Sequence, residues 1–453
     1  MKIIKYFLIF IICSLLFCSC EGGDDSLTSN DVIYLNVYNW GEYISDEDDE
    51  ECGLFDVNAG FEQYYKEKYG VTVKVNYSTY ATNEDMYAKL TNSAVSYDIV
   101  IPSDYMIQKM IANDMLLEID FSKLTNYGNI DESFKNMYYD PDNKFSVPYT
   151  YGMLGIIYNS EFVDESETDI VNESWNLLWN EKYAGKILQF NNPRDAFATA
   201  MFRGVNGTPL DINSHDPETW EKAIEELKKQ KHILQGYVND EIFNKMKGAS
   251  AYISPYFAGD YLTMATDNND LRFFYPSEGT NYFVDAFCIP KTSRNPELAH
   301  EYINYMIGRD PATANALYIG YASPNKAVVD SDYYREMLDY NYSIYDEDDN
   351  CVVDAWKVLY DKSKDVANAR YPFNPAYEDY YKDGQVDIQA HVTALWESLK
   401  TENSTELWIH ITSGVIVAGV LGFAIHSTYI RKKRSKFYRD RDRELRKQRQ
   451  MKK

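Results

Sequence analysis

The sequence lacks the short motifs on which most hydrolytic and nucleotide-dependent enzymes rely. It contains no Gly-x-Ser-x-Gly nucleophile elbow, no phosphate-binding loop ending in Gly-Lys-Ser/Thr, and no Gly-x-Gly-x-x-Gly fingerprint. Histidine is rare, and the six residues are scattered without the His-Glu-x-x-His spacing of a zinc helix. From these absences we predict a protein that is not an enzyme and that holds no metal or other cofactor.

Cysteine is scarce too. The sequence has six cysteines, of which Cys13, Cys18 and Cys20 lie in the N-terminal segment, and the rest of the chain contains only Cys52, Cys288 and Cys351. Three is an odd number, so no complete disulfide framework follows. One bridge would be compatible with a location outside the cell, but the sequence does not select a pair.

Lysine and arginine are few over most of the chain. The whole sequence has 45 Lys and Arg against 70 Asp and Glu, and 13 of the basic residues lie in the last segment, 431–453. Without that segment and two leader lysines, 30 basic and 67 acidic residues remain, a net charge of −37. Such a field repels nucleic acid, which we exclude as a partner, and attracts cations. Solubility is the alternative explanation.

The first twenty residues are typical of a secretory leader. Two lysines precede the apolar run 6–17, and the segment ends in Ser19-Cys20. A small residue before a cysteine resembles a lipoprotein signal, so we predict a lipoprotein-type signal peptide over 1–20, with lipidation at Cys20. The polar residues 21–30 then form a tether. A plain signal peptide or an uncleaved helix is the alternative.

A second apolar segment lies near the C-terminus. Residues 407–430 contain no Asp, Glu, Lys or Arg, and a membrane-spanning helix needs about 20 such residues. The basic tail, residues 431–453, follows at once, and the positive-inside rule places it in the cytoplasm. We therefore predict one transmembrane helix in the cell membrane, with residues 21–406 on the extracellular or periplasmic side.

Strand-like runs alternate with helical patterns between the two apolar ends. The segments 32–38, 71–76, 97–101 and 186–190 are apolar or alternating, as strands are, and most of them end in polar loops. Residues 220–231 have their apolar side chains on one helical face. This alternation predicts an α/β fold with mostly parallel sheets, in which ligands bind beyond the carboxyl ends of the strands.

Aromatic residues recur beside carboxylates at the predicted strand ends. Trp40 lies two positions before Glu42, and Phe283 lies two positions before Asp285. An aliphatic polyammonium ion needs both partners, because its methylenes favour flat apolar walls and its ammonium groups favour carboxylates and aromatic faces. The structural alternative is that the aromatics belong to the core and the carboxylates cap loops.

Several short segments resemble, in the same order, those of the bacterial spermidine/putrescine-binding proteins, the polyamine-binding solute receptors of ABC transporters. Together they extend over about residues 31–330, so the ordered series is more specific than any one match. The matching segments are 38–43 (Tyr-Asn-Trp-Gly-Glu-Tyr), 77–80 with 83–90, 97–103, 123–126, 146–149 and 320–325.

The resemblance implies a two-lobed α/β fold of the type II periplasmic-binding-protein class, whose lobes close on ligand about a hinge. We predict this binding domain over residues 31–400. The first lobe is expected over about 31–150 and 284–325. The second is expected over about 151–283 and 326–400.

The resemblance also implies the ligand site. Phe283 and Asp285 match a Trp-x-Asp motif whose carboxylate binds an ammonium group. Gly41 has no side chain, so only its backbone could contact the ligand. Two kinds of departure leave the identity of the ligand open. Asn192 is neutral where relatives have a carboxylate, and Phe257 and Phe283 replace tryptophans, which are better cation–π partners. The predicted ligand-binding residues are Trp40, Gly41, Glu42, Tyr43, Ser103, Tyr105, Asn192, Asp195, Phe257, Phe283 and Asp285.

The function implied by the resemblance is capture of spermidine or putrescine outside the cell and its delivery to an ABC-type permease with its ATPase. The first alternative is the same fold binding another small cationic solute. A second alternative is a membrane-anchored sensor of such a solute, although the 23 residues of the tail hold no recognisable catalytic domain.

Overall fold

A computed structural model describes residues 32–92, 95–360 and 388–401 of the chain. The predicted leader with Cys20, the tether, the apolar segment 407–430 and the basic tail lie outside the described residues, and their assignments remain predictions. Within the three described ranges, no helix is long and apolar enough to cross a membrane.

The described chain alternates between strands and helices. The strands are β1 (Val32–Trp40), β2 (Thr72–Tyr80), β3 (Ile99–Val100), β4 (Ser146–Asn159), β5 (Ile187–Phe190), β6 (Leu234–Val238), β7 (Ile253–Phe257), β8 (Leu271–Phe274), β9 (Tyr282–Cys288), β10 (Ile344–Tyr345) and β11 (Cys351–Val353). The helices are α1 (Val57–Tyr69), α2 (Asn83–Asn92), α3 (Asp104–Ala112), α4 (Thr168–Val171), α5 (Pro193–Arg203), α6 (Pro217–Lys231), α7 (Glu241–Lys247), α8 (Ala258–Asp267), α9 (Pro296–Met306), α10 (Arg309–Ile319), α11 (Lys326–Val329), α12 (Asp332–Tyr342), α13 (Ala355–Tyr360) and α14 (Ile388–Thr401).

Nine of the strands form one continuous sheet. Its order is β2-β1-β3-β9-β4-β7-β5-β6, and β8 pairs with β4 outside this path. The prediction of mostly parallel sheets was wrong, because the sheet is mixed. Strand β1 is parallel to β2 and β3, and β5 is parallel to β6 and β7, but β4 and β9 run antiparallel to all their partners.

The long strand β4 connects the two parts of this sheet. Its 14 residues are almost all buried, which explains why its sequence is nearly continuously apolar rather than alternating. The first half of β4 pairs with β9, and the second half pairs with β7 and β8. Because β9 also reaches β3 through Cys288, the two central strands join the β1–β3 part of the sheet to the β5–β8 part.

Each part of the sheet has its own buried core. In the first part, α1 and α9 cover the sheet, and the rings of Phe61 and Tyr302 meet with centroids 5.0 Å apart. In the second part, α5 and α6 pack together, with Phe197 against Trp220 at 5.6 Å between centroids. Trp40 at the end of β1 and Phe257 at the end of β7 pack against both cores.

The cysteines after the leader do not pair. Cys52, Cys288 and Cys351 are all free thiols in the structure. Cys288 is fully buried in β9, and burial raises the pKa of its thiol.

Candidate ligand-binding cleft

A cleft of about 870 Å³ lies where the carboxyl ends of β1, β5 and β7 meet, and all eleven residues predicted for the ligand site line it. Eight carboxylates line the cleft, whereas Arg194 is the only Lys or Arg among the described residues that do so. The lining carboxylates are Glu42, Glu84, Asp104, Asp195, Asp240, Asp260, Asp285 and Glu397. The cleft therefore has a strong excess of negative charge and of hydrogen-bond acceptors.

Trp40 forms one aromatic wall at the end of β1. Its indole Nε1 donates a hydrogen bond to the carbonyl of Ile101 at 3.0 Å, and the Tyr80 hydroxyl donates to the same carbonyl at 2.6 Å. The rings of Trp40 and Tyr80 lie 4.7 Å apart. The hydrogen bond to Ile101 and the contact with the Tyr80 ring, which is itself held by the same carbonyl, thus fix the orientation of the indole beside the cleft.

Asp285 lies on β9 and is only 3 % exposed. Its Oδ2 accepts a hydrogen bond from the Tyr43 hydroxyl at 2.7 Å, and that hydroxyl is also 2.6 Å from Thr150 Oγ1. Its Oδ1 receives no hydrogen bond from any described residue. Burial raises the pKa of Asp285 to about 6, although the hydroxyls of Ser103 and Tyr43 limit the rise.

Asp195 lies in the first turn of α5, on the opposite side of the cleft. Its Oδ1 accepts from Asn281 Nδ2 at 2.8 Å, and its Oδ2 accepts from Asn192 Nδ2 at 3.0 Å. Asn192 also caps the helix, because its Oδ1 accepts from the Asp195 backbone N–H at 2.9 Å. Burial raises the pKa of Asp195, while Asn192, Arg194 and Asn281 oppose the rise.

The contacts of Asn192 explain why an amide suits this position. Asn192 donates to Asp195 through Nδ2, and a second carboxylate there would repel the first. Asn281 is buried, and its Oδ1 receives no hydrogen bond from the described chain. Around Asp195 the cleft therefore presents one carboxylate and one unpaired amide oxygen.

Three aromatic rings form the floor between these carboxylates. Phe257 and Phe283 meet edge to face at 5.3 Å between centroids, and Phe283 meets Tyr321 at 5.8 Å. The Tyr321 hydroxyl donates to Asp260 Oδ2 at 2.5 Å. Gly259 permits this packing, because a Cβ at that position would lie 2.7 Å from Cδ2 of Tyr321.

Glu42 and Tyr105 mark the rim of the cleft on the β1 side. Glu42 is exposed, has a left-handed backbone with φ of 50°, and accepts from the Tyr318 hydroxyl at 3.1 Å. Tyr105 is buried and donates to Glu84 Oε1 at 3.0 Å. The guanidinium carbon of Arg194 lies 3.0 Å from the centre of the Tyr105 ring, so a cation already occupies one aromatic face.

Helix α14 supplies a wall that the sequence did not reveal. Trp396 and Glu397 line the cleft, whereas Trp356 does not. Lys400 donates to Asn191 Oδ1 at 2.5 Å, and its ammonium lies 4.2 Å from the centre of the Tyr237 ring. The helix is therefore fastened to the residue next to Asn192.

Other cleft residues were also missed, and the available signals differ. Tyr321 lies inside the matching segment 320–325 and was therefore within reach of sequence reasoning, whereas the position of Asp104 in the cleft depends on a contact with the distant strand β9. Asp240 and Asp260 had no such signal beyond being acidic. No cluster of three or more His, Cys, Asp or Glu within the described residues is arranged to hold a metal ion.

The sequence matches a known protein family and several known proteins. Residues 61–338 match the family described as bacterial extracellular solute-binding protein. The spermidine/putrescine-binding periplasmic protein of Salmonella typhimurium is 32% identical over 361 residues, covering 78% of this chain and 92% of the relative. The protein of the same name from Escherichia coli is 34% identical over 300 residues, covering 66% of this chain and 79% of the relative.

A solved structure shows the same architecture. The spermidine/putrescine ABC transporter substrate-binding protein PotD from Streptococcus pneumoniae aligns with a TM-score of 0.60 at 30% identity. The alignment covers 81% of this chain and 98% of that chain. The mixed α/β fold described above is therefore periplasmic-binding-protein-like.

Proposed function

Because the chain belongs to the bacterial extracellular solute-binding proteins, we propose that it captures spermidine or putrescine outside the cell and delivers it to an ABC-type permease. The observation that carries this proposal is the surplus of acceptors in the cleft, where eight carboxylates face one arginine among the described lining residues. A ligand with several ammonium groups supplies the missing donors and the missing positive charge. The family consists of solute-binding transport proteins rather than enzymes.

The spacing of the polar groups along β9 supports a linear ligand. Asn281, Phe283 and Asp285 are alternate residues and therefore share one face of the extended chain. Four residues of strand span about 13 Å, with Asp195 hydrogen-bonded to Asn281 at one end and Asp285 at the other. Phe283 lies between them, where the methylenes of a polyamine would pack. In this arrangement each carboxylate binds one end of the ligand.

The remaining predicted residues complete the enclosure. Trp40, Phe257 and Tyr105 supply apolar faces, and Tyr43 and Ser103 hold Asp285. Asn192 acts through Asp195, and Glu42 places a further charge at the rim, beside the backbone of Gly41. The contacts of these side chains support the roles, and we propose the set as the ligand site.

We further propose that the domain opens and closes as two lobes, about 31–150 with 284–325 and about 151–283 with 326–400. Strands β4 and β9 are the segments that connect the two parts of the sheet. The predicted site residues are divided between both sides, so closure would bring the two sets together around the ligand. This division supports the assignment of the strands as the hinge.

Binding of a different small cation is the second candidate. At positions 257 and 283 this cleft has phenylalanine rings, which are less electron-rich than the indole of tryptophan. At position 192 it has a neutral asparagine in place of a carboxylate, so it is less acidic there. A thermal-shift panel on the full-length protein in detergent separates the candidates. Saturating spermidine or putrescine should raise the melting temperature by several degrees, since ligand at 100 times Kd stabilises the folded state by about 2.7 kcal/mol.

The panel should also contain a neutral sugar, arginine and choline at equal concentrations. A shift with the polyamines alone supports the first candidate. A shift with arginine or choline and none with the polyamines would replace it by the second, and a shift with the sugar alone would refute both.

We propose that the domain is held at the outer face of the cell membrane by lipidated Cys20, by a helix over 407–430, or by both, with the tail 431–453 in the cytoplasm. Helix α14 ends at Thr401, so only residues 402–406 separate it from the proposed membrane helix. A chain that ends after Glu406 and carries Cys20→Ala should appear in the soluble fraction, because both anchors are then absent. Each change alone should leave the protein with membranes. Membrane association of the doubly altered chain would mean that another attachment exists.

A further inference from the structure

Asp104 lines the cleft but belongs to neither of the hydrogen-bonded carboxylate sites at Asp285 and Asp195. It is the first residue of α3 and is 0 % exposed. Its Oδ1 accepts from the backbone N–H of Tyr105 at 2.6 Å, whereas its Oδ2 receives no hydrogen bond from any described residue. A buried carboxylate oxygen without a donor destabilises the folded chain unless a ligand supplies one.

The backbone brings Asp104 beside Asp285. Ser103 forms an antiparallel bridge with Asp285, and the N–H of Ala286 donates to the carbonyl of Pro102 at 3.1 Å. The loop before α3 is thus joined to β9 at the position of the cleft carboxylate. Asp285 also has one oxygen, Oδ1, that no described residue satisfies. Two neighbouring carboxyl groups that line the cleft therefore each contain one buried acceptor that no described residue satisfies.

The charges around this pair do not cancel. Burial raises the pKa of Asp104 to about 7, and the negative charge of Asp285 adds to the rise, whereas the backbone N–H groups of Tyr105 and Val284 and the charge of Arg194 oppose it. Arg194 is the nearby cation, but its guanidinium lies over the Tyr105 ring and donates nothing to Asp104 Oδ2. Arg194 also acts on Asp195, so with Asp104 and Asp285 both ionised at least one negative charge stays uncompensated.

We propose that Asp104 and Asp285 together hold one terminal ammonium group of the polyamine, with Asp104 Oδ2 and Asp285 Oδ1 as two of its three acceptors. The inference rests on the proposed function and adds a residue to its site. A primary ammonium group has three N–H donors in a compact arrangement, which allows it to bond two carboxylates at once. Its positive charge also offsets negative charge that Arg194, which acts on Asp195 as well, leaves uncompensated.

The test replaces Asp104 by asparagine, which keeps the shape of the side chain and removes its charge. Spermidine should bind Asp104→Asn at least about tenfold more weakly than wild type in calorimetry of the full-length protein, because a hydrogen bond to a charged group is lost. The melting temperature of the ligand-free protein should stay the same or rise, because one buried charge is removed. Asp332→Asn is the matched control, since Asp332 is an exposed residue in the first turn of α12, and it should bind as wild type does.

Monoacetylated spermidines give a readout that a general loss of structure would not produce. Acetylation turns one terminal ammonium into a neutral amide. One of the two analogues lacks the ammonium group that this pair binds, and wild type and Asp104→Asn should have almost equal affinities for it. For the other analogue, the tenfold difference in affinity between the two proteins should remain. An equal loss for spermidine and both analogues would overturn the proposal in favour of a structural role.

Failure of the inference is distinguishable from failure of the proposed function. If wild type binds spermidine and Asp104→Asn binds it within twofold, the shared ammonium site is wrong and polyamine capture stands. If wild type binds no polyamine, both are refuted.

Discussion

Replacement of Asp285 by alanine is expected to weaken spermidine binding by roughly thirtyfold or more. Asp285 lines the cleft, is 3 % exposed, accepts from the Tyr43 hydroxyl, and has one oxygen that no described residue satisfies. Removing one member of a buried, hydrogen-bonded charge pair costs about 2–5 kcal/mol, since the other charge stays buried without a partner. At about 1.4 kcal/mol per factor of ten, the lower end of this range already gives the thirtyfold loss.

Titration calorimetry and thermal melting of Asp285→Ala beside Asp348→Ala measure this effect. Asp348 lies in an exposed acidic loop, where a screened carboxylate contributes about 0–1 kcal/mol. If Asp285 only orders its loop, the variant melts at a lower temperature and keeps nearly full affinity. Equal, small losses in both variants would place the site elsewhere.

The pH dependence of binding gives a second readout of the same carboxyl group. Burial raises the pKa of Asp285 to about 6, and only the ionised form attracts an ammonium group. Affinity in wild type should therefore be highest near pH 8, where the carboxyl groups are ionised and the ligand's ammonium groups keep their protons, and fall as pH decreases through 7 and 6, where Asp104 and then Asp285 take up protons. In Asp285→Ala this fall should be smaller.

Replacement of Asp195 by alanine is expected to produce the second largest loss, about tenfold or more. Asp195 accepts from both Asn281 and Asn192, so its removal takes away a counterion for the ligand and leaves two enclosed amide donors unpaired. The measurement is the spermidine affinity by calorimetry. Asp332→Ala is the control, because Asp332 is also an acidic residue in the first turn of a helix but is exposed.

The double variant tests whether the two carboxylates act on different ends of the ligand. Asp195 is bonded to Asn281, which immediately precedes β9 and lies about 13 Å from Asp285 along the extended chain. Effects at that separation usually add. The loss in Asp195→Ala/Asp285→Ala should therefore approach the product of the single losses. A double variant no weaker than Asp285→Ala alone would mean that Asp195 has no contact with ligand.

The cleft could be predicted from sequence wherever short matching segments place a residue at a strand end. Trp40 ends β1, and Phe283 and Asp285 share one face of β9, as their spacing of two positions requires. The same reasoning missed Asp104, because its burial depends on the contact between the loop before α3 and a strand that is distant in the sequence. Sequence spacing carries no information about such a contact.

The direction of the central strands was not predictable from their composition. The run 146–159 is apolar because both faces of β4 are covered, which is also the pattern of a buried parallel strand. Only the pairing with β7, β8 and β9 shows that β4 is antiparallel to its neighbours. Helix α14 was missed for a different reason. Its packing on α6 and the anchoring of Lys400 to Asn191 depend on a tertiary contact between segments about 200 residues apart.

The most direct test of the account is calorimetric titration of the full-length protein in detergent with spermidine and with putrescine, beside a neutral sugar at the same concentration. We expect saturable binding of at least one polyamine at pH 8, weaker binding at pH 5, and no heat of binding with the sugar. Binding of the sugar without any polyamine signal would contradict this expectation.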